Sequence, residues 1–183
     1  MKYDQILVVD IESTCWKEHQ PDNISEIIEI GITPIDTNSG NILESRSIII
    51  KPEHSEISEF CTRLTTITQE DLDSGISFKD ACHILVDEYH SKNYAWGSYG
   101  YYDKKQFMAQ CKRENIEYPF SKDHINVKTL FALKYSLRKH VGMTKALRLL
   151  DMPLIGIHHR GIDDSRNIAN ILSRILFNID GKL

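Results

Sequence analysis

The sequence predicts an α/β protein built on a mixed five-stranded sheet, its first three strands antiparallel and its faces flanked by helices. Three observations carry this. Ile6-Leu7-Val8-Val9 is a short continuous apolar run, the pattern of a strand buried on both faces. The Ile-rich stretch from Glu26 to Ile35 and the run Ser47 to Ile50 enclose Asn38-Ser39-Gly40-Asn41, a turn signal that joins them as a hairpin. Beyond Ser77, helix-like and strand-like segments alternate along the chain.

The elements follow in order. Lys51 to Ser77 is polar and reads as loop with one short helix, opened by Thr68 with Asp71 three residues on. Ser77 is placed to cap a helix running to about His90, with Ala81, Ile84, Leu85 and Tyr89 on one face. Tyr94-Ala95-Trp96 is the fourth strand, Tyr102 to Asn115 a helix, and Ile125-Asn126-Val127 a short fifth strand. Helices fit Thr129–Arg138 and Thr144–Leu150. The last helix begins near Ile162 or Asp163 and buries Ile168, Ile171, Leu172, Ile175 and Leu176. No repeat, low-complexity tract or linker divides the chain, so residues 1–183 are expected to form one domain.

Apolar content of 41% and charged content of 26% are ordinary for a globular protein. No apolar stretch has the length of a membrane span, which argues against a membrane partner. The N-terminal run is too short for a signal peptide and is interrupted by Asp10 and Glu12. Cys15, Cys61, Cys82 and Cys111 form no CxxC pair and read as reduced thiols, which implies a cytoplasmic location. The net charge of −4 is unevenly spread. Residues 1–103 hold 7 Lys or Arg against 19 Asp or Glu, whereas residues 104–174 hold 14 against 6. Such asymmetry permits a basic surface beside an acidic pocket.

The acidic residues that matter are at the two ends. Asp10 and Glu12, one residue apart on a strand, point to the same face. An unpaired carboxylate at Asp10, at the end of an apolar run, is costly to bury and needs a partner. His159 lies five residues before Asp164, where a loop enters a helix. Asp103 follows the fourth strand and opens the next helix. Hydrolysing a phosphodiester requires water to be deprotonated, an anion to be approached and a leaving alkoxide to be stabilised. Two divalent cations held by carboxylates serve those needs. Hard cations such as Mg²⁺ or Mn²⁺ suit an all-oxygen set. Asp10, Glu12, Asp103 and Asp164 are the candidate ligands. His159 is the candidate general base, because imidazole titrates near neutrality.

These residues together resemble the DEDDh 3′→5′ exonucleases, named for four acidic ligands and a histidine. Asp10-x-Glu12 matches the first motif, Asp103 the second, and His159-x-Gly161-x-x-Asp164 the third. Val9 to Trp16, Phe60 to Thr68 and His158 to Ala169 resemble the Eri-type subgroup, which includes the histone-mRNA 3′ exonuclease. The likeness runs from about residue 5 to residue 177. It implies a ribonuclease-H-like fold, stepwise release of nucleoside 5′-monophosphates, a metal-bridging role for Glu12 and activation of water by His159. By the same likeness, Ser13, Thr14, Leu64, Thr65 and His159 hold the terminal nucleotide. The implied partner is a single-stranded 3′ end, RNA favoured over DNA.

Other residues carry simpler expectations. Asp163 reads as a helix-start acid and His158 as structural, and Glu29 aligns with a motif-like acid of the family. Tyr99, Tyr101 and Tyr102 either stack on bases or pack around a tight turn. His19, His54, His83, His90, His124 and His140 show no ligand spacing. Alternative readings are a proofreading DNA exonuclease subunit, disfavoured because no long tail follows Leu183, and a regulatory module on the same fold.

Overall fold

The computed structural model describes residues 2–18 and 22–177, so His19 lies outside the described residues. One sheet holds five strands: β1 (Gln5–Ser13), β2 (Ile27–Asp36), β3 (Arg46–Ile49), β4 (Ala95–Ser98) and β5 (His124–Asn126). Their spatial order is β3-β2-β1-β4-β5. The β1–β2 and β2–β3 pairs are antiparallel, and β1–β4 and β4–β5 are parallel. The mixed sheet and its antiparallel first half are as expected. The helices are α1 (Glu59–Thr65), α2 (Gln69–Asp73), α3 (Phe78–Asp87), α4 (Tyr102–Glu114), α5 (Val127–Lys134), α6 (Met143–Leu149) and α7 (Gly161–Phe177). Among them no helix is long and apolar enough to cross a membrane.

Local chemistry accounts for the helix starts. Thr68 and Asp71 form a reciprocal capping box on α2, and the Ser77 side chain accepts from the Asp80 N–H on α3. α1 departs from the sequence pattern, which predicts loop over 51–67. It is only seven residues long and rests on the Ser58 cap and the burial of Cys61 beside Ile28, Ile67 and Leu72. Tertiary packing makes this helix, and its short amphipathic pattern is too weak to read alone.

Strand alternation divides the core in two. Leu7, Val9 and Ile11 of β1 pack in one cluster with Phe78 and Leu85 of α3 and Phe107 of α4. Ile6 and Val8 pack in the other with Phe131 of α5, Leu147 of α6 and Ile168, Ile171 and Leu172 of α7. A period of two therefore aims Asp10 and Glu12 to the side of the sheet that α7 covers. The β1–β4 register ends at Val8↔Gly97, whereas β1 continues to Ser13. The two parallel strands thus diverge beyond that pair. Open α/β sheets place ligand crevices at the carboxyl ends of such strands.

Candidate active site

Two glycines bring the ends of the chain together. Gly31 lies opposite Asp10 in the β1–β2 register, and Gly161 begins α7 directly above it. A Cβ on Gly31 would stand 1.8 Å from the Gly161 carbonyl oxygen. Only a bare backbone allows so close an approach, and it places Asp164, in the first turn of α7, against β1. Glu29, two residues before Gly31 and fully buried, ties the same junction. It accepts from the Gly161 N–H at 2.9 Å, from Arg160 Nε at 3.1 Å and from Ser47 Oγ at 2.6 Å.

Asp10, Glu12 and Asp164 then converge, each offering a carboxylate oxygen within 4.8 Å of the others'. They line a cleft of about 310 Å³ with Asp103, Tyr99, Tyr102, Met143, His158 and His159. Asp103 enters from the first turn of α4 and accepts the Ile11 N–H at 3.2 Å. Beyond Val8 that edge of β1 has no β4 partner, so the carboxylate takes the donor a strand would have used.

Asp164 is oriented by two histidines in different ways. The His159 N–H donates to Asp164 Oδ2 at 3.0 Å, and His158 Nδ1 lies 2.8 Å from the same oxygen. The imidazole rings of His158 and His159 stack at 4.0 Å between centroids. His159 holds a left-handed backbone, φ 68°, which a non-glycine residue adopts only when its surroundings impose it. Both residues therefore belong to the site, and the sequence reading of His158 as merely structural misses its bond to the carboxylate. Asp163 lies in the first turn of α7, and its Oδ2 accepts the N–H of Ile157 in the preceding loop at 2.8 Å.

Burial and like charge dominate the electrostatics. Burial first, then the charges of Asp103, Glu12, Asp164 and Glu29, hold the Asp10 carboxyl well above the ordinary carboxylate range. Glu12 is pushed up to about 8 by burial and by Asp164, Glu29 and Asp103, with Arg160 opposing. Burial raises Asp103 to about 6 against the Ile11 N–H and the Ser98 hydroxyl, which favour its charged form. Asp164 is raised by burial, with His159 and His158 opposing. Burial and the neighbouring His158 hold the His159 imidazole below its usual value.

The donor set suits a hard divalent cation. Asp164 Oδ1 is buried with no hydrogen-bond partner, and the converging oxygens repel one another unless a positive charge sits between them. Asp10, Glu12 and Asp164 are positioned to hold one ion, with Asp103 on the same wall.

The residues expected to hold a terminal nucleotide are more dispersed. The Ser13 hydroxyl is buried without a partner. Thr14 Oγ1 accepts the Glu26 N–H at 2.9 Å, and Thr65 Oγ1 donates to the Cys61 carbonyl at 2.9 Å, so both are engaged within the chain. Leu64 is half-buried on α1, and neither it nor Thr65 lines the cleft. Arg160 spans the distance, with Nη1 3.5 Å from Thr66 Oγ1 just after α1. The sequence reading missed Arg160, Gly31 and the orienting role of His158. Glu29, an acid inside an apolar strand, and Gly161, within the third motif, are the signals of this junction in the sequence.

A family model described as Exonuclease matches residues 7–172. The chain is 33% identical over 184 residues to 3′-5′ exoribonuclease 1 of Rattus norvegicus, an alignment covering 95% of this chain and 53% of that protein. It thus spans about half the length of the curated relatives it matches first. Among solved structures it resembles the nuclease domain of 3′hExo, a DEDDh family member, bound to rAMP. That match has a TM-score of 0.86 and 31% identity, and covers 95% of this chain and 92% of the other. It also resembles a 3′-exonuclease in a structure titled for 3′-end specific recognition of histone mRNA stem-loop. There the TM-score is 0.87 and the identity 30%, with coverage of 95% and 64%.

Proposed function

Since the chain belongs to the exonuclease family, we propose that it hydrolyses single-stranded RNA from the 3′ end, releasing nucleoside 5′-monophosphates. The observation that carries this is the convergence of Asp10, Glu12 and Asp164 oxygens within 4.8 Å of one another in an open cleft. Asp10, Glu12, Asp103 and Asp164 would hold two divalent cations, Mg²⁺ or Mn²⁺, which when bound supply charge to the phosphate oxygens and acidify water. His159 accepts the proton of the attacking water. Its lowered pKa leaves the ring neutral near pH 7 and able to act as a base. His158 and the His159 N–H fix the direction in which Asp164 presents its free Oδ1. Ser13 offers its unpartnered hydroxyl to the terminal nucleotide. Thr14, Leu64 and Thr65, outside the cleft lining, would support that end of the site from behind. RNA is the preferred polymer in this reading, with DNA tolerated where no contact reads the 2′-hydroxyl.

The test is direct. Incubation of 5′-labelled RNA and DNA with Mg²⁺ or Mn²⁺ is expected to give a ladder shortening from the 3′ end. EDTA and Asp10→Asn are each expected to abolish it. Absence of cleavage of every oligonucleotide under either metal would overturn the proposal. Competition between matched RNA and DNA strands at one stated salt concentration decides the sugar preference.

A further inference from the structure

A second concavity of about 590 Å³ lies between the outer stripe of α4 and the segment that leads into β5. Lys104, Lys112 and Lys122 rim it, and its floor is apolar, with Met108, Tyr118 and Phe120. None of the three lysines forms an ion pair among the described residues, and no acidic side chain lines the groove. Met108 is left 54% exposed beside them, so the floor is open to solvent. Tyr102 and Asp103 line the cleft, and Lys104, the next residue, lines the groove. Tyr101 and Tyr102, just before Lys104 in the chain, are 56% and 59% exposed. From Lys104 to Lys112 the helix runs about 12 Å at ~1.5 Å per residue.

We propose that this groove seats the part of a single-stranded polynucleotide that lies 5′ of the terminal nucleotide, its phosphates on Lys104, Lys112 and Lys122 and its bases over the apolar floor. The assignment rests on the nuclease reading above. Two features select this occupant. Ammonium groups that form no ion pair, on a groove whose lining holds no acid, call for a polyanion, and an apolar floor suits the faces of bases, as in sequence-tolerant single-strand binders. The placing of Asp103 in the cleft and of Lys104, the next residue, in the groove supplies the rest, since a strand whose 3′ end lies at Asp10 must leave in some direction. Exit over Tyr101 and Tyr102 leads onto the lysines. The groove gives a chain with net charge −4 a local surface of the opposite sign.

The test compares Lys112→Gln/Lys122→Gln with the unaltered chain and with Lys79→Gln/Lys134→Gln, which removes the same charge from exposed positions outside the groove. Binding of a 12-nucleotide RNA is measured over a range of salt in an Asp10→Asn background. Cleavage of that RNA and of a dinucleotide is measured in the wild-type background. Each phosphate contact on a single strand contributes about 0.7 to the slope of log K against log salt. The groove variant is therefore expected to lose about 1.4 from that slope and to raise KM for the 12-mer. Its kcat, its dinucleotide cleavage and its melting temperature are expected to stay at wild-type values, and the control pair to keep the slope. A groove variant with unchanged slope and KM, in a chain that cleaves the 12-mer, overturns the groove and leaves the nuclease reading intact. That is also the result if the groove serves an acidic protein segment instead. A wild-type chain that cleaves neither substrate overturns the nuclease reading and the groove with it.

Discussion

Replacing Gly31 by alanine sets one methyl group against the junction that assembles the site. The new Cβ would lie 1.8 Å from the Gly161 carbonyl oxygen, 1.9 Å from its carbon and 2.4 Å from the Ile162 nitrogen. All three are backbone atoms at the start of α7, so no change of rotamer relieves the overlap. Opening the 1.8 Å contact to 3.0 Å moves strand and helix apart by at least about 1.2 Å. Asp164 travels with that helix turn, away from Asp10 and Glu12. A misplacement of ~1 Å costs about 10²-fold in rate. Overpacking of about 3 kcal/mol lowers the melting temperature by roughly 6–12 °C in a chain of this size. Thermal unfolding and kcat/KM on 5′-labelled RNA read the two effects. Gly161→Ala, whose nearest contact would be 3.0 Å, is expected to be milder. Gly142→Ala meets nothing within 4 Å and is expected to melt within about 2 °C of wild type. A Gly31→Ala protein that melts and cleaves like wild type would refute the claim that close backbone approach positions Asp164.

Other consequences follow from the same geometry. His159→Ala is expected to lower cleavage by about 10²-fold or more while keeping Mn²⁺ binding by calorimetry. His158→Ala, which frees Asp164 Oδ2, is expected to weaken Mn²⁺ binding more than His159→Ala does, and the opposite ranking would count against these roles. The metal-free chain has a pH dependence of definite sign. Glu12, with its pKa raised to about 8, and Asp10, also raised, bind protons when folded that the unfolded chain has already released. Their destabilising contribution is therefore absent below the unfolded carboxylate range and complete above the folded pKa. Histidines with lowered pKa values act only below about pH 6.5, and buried thiols with raised pKa values act only from about pH 8.5 upward, where the unfolded thiols ionise, so between pH 7 and 8 the carboxylates decide. In EDTA the melting temperature is expected to fall across that interval, and saturating Mg²⁺ to reverse the fall; a flat or rising profile would contradict the assignment. Thr14→Val leaves the buried Glu26 N–H without its acceptor and is expected to cost about 1–3 kcal/mol of stability, read by urea titration.

Much of this molecule is legible along the chain, and each legible feature has a local cause. The continuous apolar run of β1, the Ile-rich β2 and the 3.6-residue pattern of α7 announce burial directly, so element types and order follow from side-chain periodicity. Caps such as Thr68 with Asp71 and Ser77 before α3 are read from residues three apart. α1 was not legible, because seven residues form a helix only when Cys61 finds the pocket between Ile28, Ile67 and Leu72. Thr14 and Thr65 could be named for their place in a motif, but their hydroxyl partners, the amide just before β2 and a helix carbonyl, appear only once the chain is folded.

The sequence by itself determined which residues carry charge and which strand face they share: the period of two that buries Ile6 and Val8 on one side commits Asp10 and Glu12 to that side as well. Only the tertiary structure decided that Asp164 joins them, that His158 as well as His159 orients it, and that Glu29 and Arg160 secure the junction. The reason is physical. Periodicity reports contacts within one element, whereas a site between elements depends on how near two backbones can come. Here the bare Cα atoms of Gly31 and Gly161, 130 residues apart in the chain, permit that approach.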